Sequence, residues 1–299
     1  MGYMHIENLY KNQQILMMRE CFALTKVHGT SAHVSYDRGD QVEKESLHFF
    51  AGGEKHSRFV ALFDKDALLK AFRELGKQKV VVHGEAYGGS QQGMSATYGK
   101  ELKFIAFDVK IDDVWASVPW ADKIATQLGF EFVPYVRTST DLSALDALRD
   151  APCDVAMRRG MGNDKRREGI VLRPIIELQT NNGGRICAKH KCDEFKETKT
   201  TRLVEVDPDK AIFLTKAQDI AEEWVTEMRL THVLDKLGPL VISDTPKVLA
   251  AMLEDVLREG KDEFLETREA HAAISKLTAK LFHTRLKSAL KNKEPDGAG

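Results

Sequence analysis

The sequence has few of the features that mark secreted, membrane-spanning or disordered chains. Its 299 residues contain four cysteines, irregularly spaced and without a Cys-X-X-Cys pair, which argues against a disulfide framework and a common type of zinc site. No apolar run approaches the roughly 20 residues that a transmembrane helix needs, and the first 14 residues lack the basic-then-apolar pattern of a signal peptide. We therefore expect a cytoplasmic, intracellular protein with no membrane partner.

The chain also has almost no net charge, since 44 Lys and Arg oppose 45 Asp and Glu. The whole-chain charge therefore gives no indication of a nucleic-acid partner. The charges are unevenly distributed, however: residues 275–293 hold six basic residues and no acid. On a helix, four of these lysines fall within about one sixth of a turn and form a basic stripe, although a solvated helix face is an equally good explanation of it. The four are Lys276, Lys280, Lys287 and Lys291.

Sequence patterns divide the chain into two parts. Up to Val206, strand-like runs alternate with turn residues and two capped helices, whereas the segments after Asp207-Pro208 have helical spacing. We expect a mixed domain over residues 1–206, a smaller all-helical domain over 207–299, and a flexible tail at its end. The predicted strands are 21–26, 31–36, 79–83, 102–109, 131–135 and 169–172, and the predicted helices are 64–75, 120–128, 211–230, 245–260 and about 262–290.

Five short motifs in the first part carry the residues that could do chemistry. They are KVHG at 26–29, HGEAYGG at 83–89, FIAFDV at 104–109, EGIVL at 168–172 and AKHK at 188–191. Each is ordinary by itself. An aromatic residue in a strand usually belongs to the core, an acid beside arginines usually pairs with one of them, and lysines on an edge strand are usually solvated. It is the set of five, in this order, that favours a shared site.

In this order and at these separations, the motifs resemble the nucleotidyltransferase motifs of ATP-dependent polynucleotide ligases and capping enzymes. They are most similar to those of the type 2 RNA ligases, the branch that seals nicked double-stranded RNA. The resemblance covers roughly the first 200 residues. It implies an α+β fold, in which an adenylation (nucleotidyltransferase) domain with ATP-grasp-like antiparallel sheets precedes a smaller all-helical domain.

The resemblance also implies a reaction in three steps. Lys26 would be adenylated by ATP with release of pyrophosphate, and the AMP would pass to a 5′-phosphate end. A 3′-hydroxyl would then attack that end, forming a phosphodiester and releasing AMP. The partner would be RNA with these two ends, most simply a nicked duplex, and we expect a monomer from a cell or a phage.

Each site residue has a role that the resemblance implies. The expected catalytic residues are Lys26, His28, Lys189 and Lys191. Contacts to the nucleotide are expected from Lys26, Glu168, Lys189 and Lys191 together with Thr25, Val27, Gly29, Arg58, Glu85 and Phe107, whose ring would stack on adenine. Glu168 and Asp108 are expected to hold Mg²⁺ or Mn²⁺ through their carboxylate oxygens.

The chemistry of such a site agrees with this set of residues. An amine attacks the α-phosphorus of ATP only when it is unprotonated, so a lysine nucleophile needs neighbouring cations or burial. Lys189 and Lys191 lie two residues apart and share one face if the segment is extended. Their charges would disfavour a protonated neighbour and neutralise the triphosphate.

Two residues depart from the usual pattern of type 2 RNA ligases. The residue before the nucleophile is often acidic but is Thr25 here, and the usual Asn of the HGTN sequence is Ser31. These changes bear on recognition of adenine and of the 5′-phosphate rather than on the covalent step.

Two alternative functions remain open. Another covalent nucleotidyltransferase, such as a DNA ligase or a capping enzyme, would normally carry a β-barrel after the last lysine motif, whereas the sequence from Ala211 onward is helical. A non-catalytic module that binds nucleotides or nucleic-acid ends would keep the fold without turnover, which the intact motif lysines and glutamates argue against.

Overall fold

The structure is a computed structural model, and it describes residues 2–39, 45–180, 183–199, 204 and 217–291. The chain divides into two compact units, Met1–Glu194 and Phe195–Gly299. The expected boundary at residues 206 and 207 and the expected flexible tail after Lys291 lie outside the described residues.

The first unit contains two antiparallel sheets with short helices. The first sheet has the strand order β7-β1-β8-β9, and the second has the order β3-β2-β4-β5-β6. The strands are β1 (Glu20–Lys26), β2 (Thr30–Asp37), β3 (Ser46–Ala51), β4 (Lys79–Tyr87), β5 (Lys103–Ile111), β6 (Val114–Trp115), β7 (Tyr135–Ser139), β8 (Gly169–Pro174) and β9 (Ala188–Lys191). The helices are α1 (His56–Val60), α2 (Lys65–Leu75), α3 (Ser95–Tyr98), α4 (Val118–Gln127), α5 (Leu142–Asp150) and α6 (Asp154–Arg158).

The core of the first unit combines side chains from both sheets with side chains from several of the helices. Phe22 and Leu24 of β1 belong to the same apolar cluster as Val80 and Val82 of β4. Strand alternation explains this arrangement, because residues two apart on a strand lie on the same face.

Local sequence signals explain the best-predicted helix. Asp64 caps α2 by accepting hydrogen bonds from the backbone N–H groups of Asp66 and Ala67, and Gly76 ends the helix in the left-handed conformation. The predicted span of 64–75 is confirmed. The predicted strand at 131–135 is wrong: Phe132 forms only an isolated bridge with Ala106, and β7 begins at Tyr135.

The described part of the second unit is helical. Its helices are α7 (Ala217–Trp224), α8 (Glu227–Leu237), α9 (Thr245–Glu259) and α10 (Arg268–Lys291). The helix predicted over 211–230 is divided in two, since Thr226 caps a new helix by accepting from the Arg229 N–H. The four helices share an apolar core that includes Trp224, Met252 and Phe282.

All four cysteines, Cys21, Cys153, Cys187 and Cys192, are buried and free. Among the described helices, none combines the length and the apolar composition that crossing a bilayer requires.

Candidate active site

Lys26 and Lys191 lie on either side of a single glycine in the first sheet. Gly169 on β8 is the direct partner of Lys26 on β1 and of Lys191 on β9. Directly opposed residues of neighbouring strands point to the same face of a sheet, and so do residues two apart on one strand. The register therefore brings Lys26, Lys191 and Lys189 to one face.

Gly169 is required at this position for two reasons. Its φ of +153° lies in a region that side chains rarely adopt, and a Cβ there would come within 2.1 Å of the His190 carbonyl oxygen. The absence of a side chain lets β9 approach β8 closely. The spacing between the two lysine strands thus depends on this glycine.

We expect Gly169→Ala to lower the free energy of unfolding by about 3 kcal/mol, because it combines backbone strain with a steric clash against β9. Urea denaturation would measure the loss. Gly129→Ala is the matched control, since Gly129 also has a positive φ, of +83°, but nothing within 4 Å of the added Cβ, and we expect it to cost only about 1 kcal/mol. Equal losses in the two variants would contradict the proposed close approach.

Glu168 is the acceptor at the centre of the site. Its Oε2 accepts a hydrogen bond from Lys26 Nζ at 2.8 Å and lies 3.2 Å from His28 Nδ1, while its Oε1 lies 3.1 Å from Lys191 Nζ. The side chain is only 2% exposed. Burial by itself raises the pKa of Glu168, but the charges of Lys26, Lys191 and His28 outweigh burial and hold that pKa well below its ordinary range.

The amine of Lys26 remains accessible although its carboxylate partner does not. The Lys26 side chain is 23% exposed, so a ligand can reach Nζ from solvent. The backbone after Lys26 is fixed, because the His28 N–H donates to the Tyr98 hydroxyl at 3.3 Å and the Val27 side chain is buried in the core. Val27 therefore offers a ligand its backbone rather than its side chain.

A second carboxylate, Glu85 on β4, lies in the same electrostatic environment. The pKa of Glu85 is raised to about 8, because burial and the charge of Glu168, which raise it, outweigh Lys26, Lys191 and a hydrogen bond from the Gly29 backbone, which lower it. A Cβ at Gly29 would come within 2.4 Å of the Ala86 carbonyl oxygen, so glycine allows this close approach. The motifs of β1, β4, β8 and β9 thus converge.

Glu85 and Glu168 fit a hard divalent cation. Mg²⁺ is commonly held through one or two carboxylates, with water and substrate phosphates completing its coordination. The described residues contain no group of three or more His, Cys, Asp or Glu side chains that could hold a metal by themselves. Any such ion would therefore share its coordination with a ligand.

Asp108, the other expected metal ligand, lies in a buried ion-pair cluster with two arginines, and its role toward a metal stays a prediction. Its carboxylate is fully buried and accepts from Arg173 Nη1 at 2.8 Å, from Arg185 Nη1 at 2.6 Å and from the Tyr3 hydroxyl at 2.7 Å. Both oxygens are therefore already used in ion pairs. The two arginines lie outside the five motifs, and sequence spacing gave no sign of them.

Phe107 occupies a β-bulge in the second sheet. His83 pairs with Asp108 and Gly84 pairs with Ala106, which leaves Phe107 without a partner on β4. A bulge redirects the extra side chain relative to the regular alternation. The ring of Phe107 is partly buried and lies edge-on to Tyr3, at 4.9 Å between centroids.

Thr25 belongs to a polar cluster that the motifs did not reveal. Its hydroxyl donates to both Asp154 oxygens, at 2.9 and 3.1 Å, and accepts from Arg167 Nη1 at 3.0 Å. Thr25 directly precedes Lys26, and Arg167 directly precedes Glu168. A carboxylate is therefore present beside Thr25, although the sequence has none at that position.

Arg58 lies apart from these contacts among the described residues. It is exposed on α1, and its guanidinium pairs with Glu54 at 3.3 Å. Glu54 also accepts from Gln91 Nε2 at 2.8 Å. The expected role of Arg58 in nucleotide binding stays a prediction.

Comparison with known proteins agrees with this arrangement. The family model for RNA ligase matches residues 19–191, which is more than half of the chain and includes every residue of the Lys26–Glu168–Lys191 cluster. The chain therefore belongs to the RNA ligase family.

Solved structures of an RNA ligase from Naegleria gruberi are among the similar folds. They include an apo mutant, a mutant with ATP and Mn, and a structure with PPi, each with 16% sequence identity and a TM-score of 0.49. The similarity covers 65% of this chain and 57% of each of those chains. This chain thus spans somewhat more than half the length of those structures.

Proposed function

We propose that this chain is an ATP-dependent RNA ligase of the type 2 branch, which joins 3′-hydroxyl and 5′-phosphate ends in nicked duplex RNA. One observation carries the proposal: an accessible Lys26 amine lies against a buried carboxylate that also contacts Lys191 and His28. Membership of the RNA ligase family supports it. The name of the similar Naegleria structure with ATP and Mn supports the choice of co-substrate and metal.

In the first step, Lys26 Nζ loses a proton to solvent, its lone pair attacks the α-phosphorus of ATP, and a second proton passes to solvent as the adduct forms. A P–N bond forms and the bond from the α-phosphorus to the bridging oxygen breaks, so that pyrophosphate leaves and Lys26 carries AMP. Lys26 has to leave its ion pair with Glu168 before attacking, because the carboxylate stabilises the charged amine. Lys189 and Lys191, on the same face, favour the loss of that proton.

The second and third steps move the AMP and close the strand. A phosphate oxygen of the 5′ end attacks the α-phosphorus of the adduct, and Lys26 Nζ takes up a proton as it leaves. The 3′-hydroxyl then attacks the activated 5′-phosphate and releases AMP. His28 Nδ1, held 3.2 Å from Glu168 Oε2, is placed to assist these later steps.

Charge compensation is the main contribution of the remaining site residues. Lys189 and Lys191 neutralise phosphate oxygens as charge moves to the leaving group. Glu85 and Glu168 would hold Mg²⁺ or Mn²⁺, which when bound supplies further charge neutralisation and orients the phosphates. The Phe107 ring supplies an apolar face for adenine, worth about 1–3 kcal/mol.

Two measurements test this function. Purified protein incubated with α-labelled ATP and Mg²⁺ should become covalently labelled, and labelling by GTP instead would indicate a capping enzyme. The labelled protein should then seal a nicked duplex with RNA on the 3′-hydroxyl side faster than the same duplex made of DNA. Nucleotide binding without an adduct would contradict catalysis.

We also propose a monomeric, cytoplasmic enzyme, which sedimentation and cell fractionation would test.

The lysines of α10 are the better candidates for contacts with RNA phosphates. Lys276, Lys280 and Lys287 are exposed on α10 and form no ion pair within the described part of the chain. A second basic segment, residues 158–167 of the first unit, is less available, because each of its arginines and lysines has an acidic partner. These pairs are Arg158–Glu131, Arg159–Glu131, Lys165–Asp164, Arg166–Glu194 and Arg167–Asp154.

We expect RNA affinity to fall steeply with salt, because each phosphate contact releases a counterion. Replacing Lys276, Lys280 and Lys287 together by Gln should reduce the slope of log K against log salt by about 2–3. Fluorescence anisotropy would measure this slope at salt concentrations between about 50 and 200 mM, a range over which such slopes are resolved. The same replacement of Lys65, Lys70 and Lys77, also exposed, should leave the slope unchanged. A flat dependence in the unmodified protein would contradict this binding face.

A further inference from the structure

Arg167 directly precedes Glu168, and its guanidinium is buried behind the nucleophile strand β1. The side chain is 9% exposed. Its Nη1 donates to the Thr25 hydroxyl at 3.0 Å, and its Nη2 donates to the Pro152 carbonyl at 2.7 Å. The Asp154 carboxylate lies 3.5 Å from Nη2 and balances the charge. A buried guanidinium is stable only when it is paired and hydrogen-bonded, so these contacts hold the side chain in one place.

The Arg167 guanidinium and the Lys26 amine lie on opposite faces of the first sheet. Thr25 and Lys26 are consecutive residues of β1, and consecutive side chains of a strand point to opposite faces. Thr25 binds Arg167 and Asp154 on one face, whereas Lys26 contacts Glu168 on the other. Arg167 is therefore separated from the reacting amine by the strand itself. It can influence the reaction only through the residues that it holds.

Glu168, the residue that Arg167 precedes, lies just outside the regular pairing of β8 with β1. That pairing begins at Gly169, the partner of Lys26. The φ of +153° at Gly169 departs from strand geometry, so strand alternation alone does not set the direction of the Glu168 side chain. The Cys192 N–H donates to the Glu168 carbonyl, and the side chain of Arg167 fixes the preceding residue. These anchors determine where the Glu168 carboxylate points.

We propose that Arg167 is a positioning residue for adduct formation: its bonds to Thr25 and Pro152 fix the backbone before Glu168, so that the Glu168 carboxylate keeps its place beside Lys26. The inference rests on the proposed function, in which Lys26 takes up AMP. A displacement of about 1 Å in such a site can lower a rate by about 10²-fold. Because Arg167 acts from behind the strand, its loss should slow the reaction without weakening the binding of ATP.

Single-turnover adduct formation, measured over a range of ATP concentrations, separates rate from binding. In Arg167→Gln we expect the maximal rate to fall by about tenfold, the effect of losing a hydrogen bond from a charged group, and the half-saturating ATP concentration to stay within about twofold. Thr25→Val removes the same bond from the other side with a side chain of similar shape, and should lower the maximal rate by about three- to tenfold. The double variant should be no slower than Arg167→Gln alone, since both changes break one bond.

Further variants and one internal measure separate positioning from folding. Arg166→Gln is the matched control, because Arg166 is 54% exposed and pairs with the exposed Glu194, and it should react at the normal rate. Arg167→Lys keeps a charged donor for one acceptor, so its maximal rate should lie between those of Arg167→Gln and the unmodified protein. Loss of folded protein would lower the amplitude of the single turnover and leave its rate unchanged. If Arg167→Gln does not fold, Thr25→Val carries the test.

Three results would overturn the proposal. The first is a normal maximal rate in both Arg167→Gln and Thr25→Val. The second is a higher half-saturating ATP concentration at an unchanged maximal rate, which would assign Arg167 to nucleotide binding. The third is a double variant whose loss equals the product of the two single losses, which would show that the two residues act independently. Absence of any adduct in the unmodified protein would reject the proposed function, and this inference with it.

Discussion

Lys26→Ala should abolish covalent labelling by ATP, lowering the rate of adduct formation by at least about 10³-fold, because it removes the amine proposed to form the phosphoramidate. The substitution removes a side chain that is 23% exposed, so the fold should survive it. Single-turnover labelling with α-labelled ATP measures the loss. The variant should still seal a nick that carries a pre-adenylated 5′ end, since that substrate bypasses the first two steps.

A matched lysine gives the control for this result. Lys103, 38% exposed, pairs only with a Glu101 side chain that is itself 81% exposed, and Lys103→Ala should label at the normal rate. Undiminished labelling of Lys26→Ala would reject Lys26 as the nucleophile. Loss of sealing on the pre-adenylated nick would indicate that Lys26 also serves the last step.

Glu168→Ala should lower both activity and stability. Without the carboxylate, the charges of Lys26 and Lys191 and the His28 ring lose their shared partner in a site where Glu168 is 2% exposed. Removing one member of such a cluster leaves uncompensated charge, and we expect the free energy of unfolding to fall by about 2–4 kcal/mol. Adduct formation should fall by about 10²-fold or more, because Lys26 and the phosphates lose their positioning.

The same residue should make stability depend on acid pH. Because the folded protein holds the pKa of Glu168 below its ordinary value of 4.5, its contribution is present above pH 4.5 and is lost as the pH falls below it. Urea denaturation across this range should show a steeper acid loss in the unmodified protein than in Glu168→Gln. Glu74→Gln, on the exposed side of α2, should follow the unmodified protein. Parallel pH profiles for Glu168→Gln and the unmodified protein would contradict the ion-pair cluster.

The sequence alone could predict that two of the motif lysines lie on one face of a strand, because strand alternation is a local rule. Lys189 and Lys191 share a face whenever their segment is extended, and the structure confirms a strand there. That Lys26 and Lys191 flank Gly169 depends on the order β1-β8-β9. Pairing between strands more than 140 residues apart is set by tertiary packing, which no local pattern contains.

The contacts that sequence reasoning missed join residues that lie far apart in the chain. Asp108 pairs with Arg173 and Arg185, 65 and 77 residues later, and no local pattern could place these arginines beside it. The contact between Asp154 and Thr25 spans 129 residues, and no sequence pattern indicated it. The five motifs stand out through their resemblance to a family, whereas ion pairs with residues outside the motifs become visible only in three dimensions.

The bulge at Phe107 also bears on how this protein could be redesigned. Residue 107 has no partner on β4, so a change of its side chain disturbs no cross-strand side-chain pair with that strand. A library of variants at this one position could therefore change the nucleotide that the protein uses while the strand around it keeps its pairing. Under the proposed stacking of adenine on Phe107, position 107 is the natural starting point for engineering acceptance of modified bases.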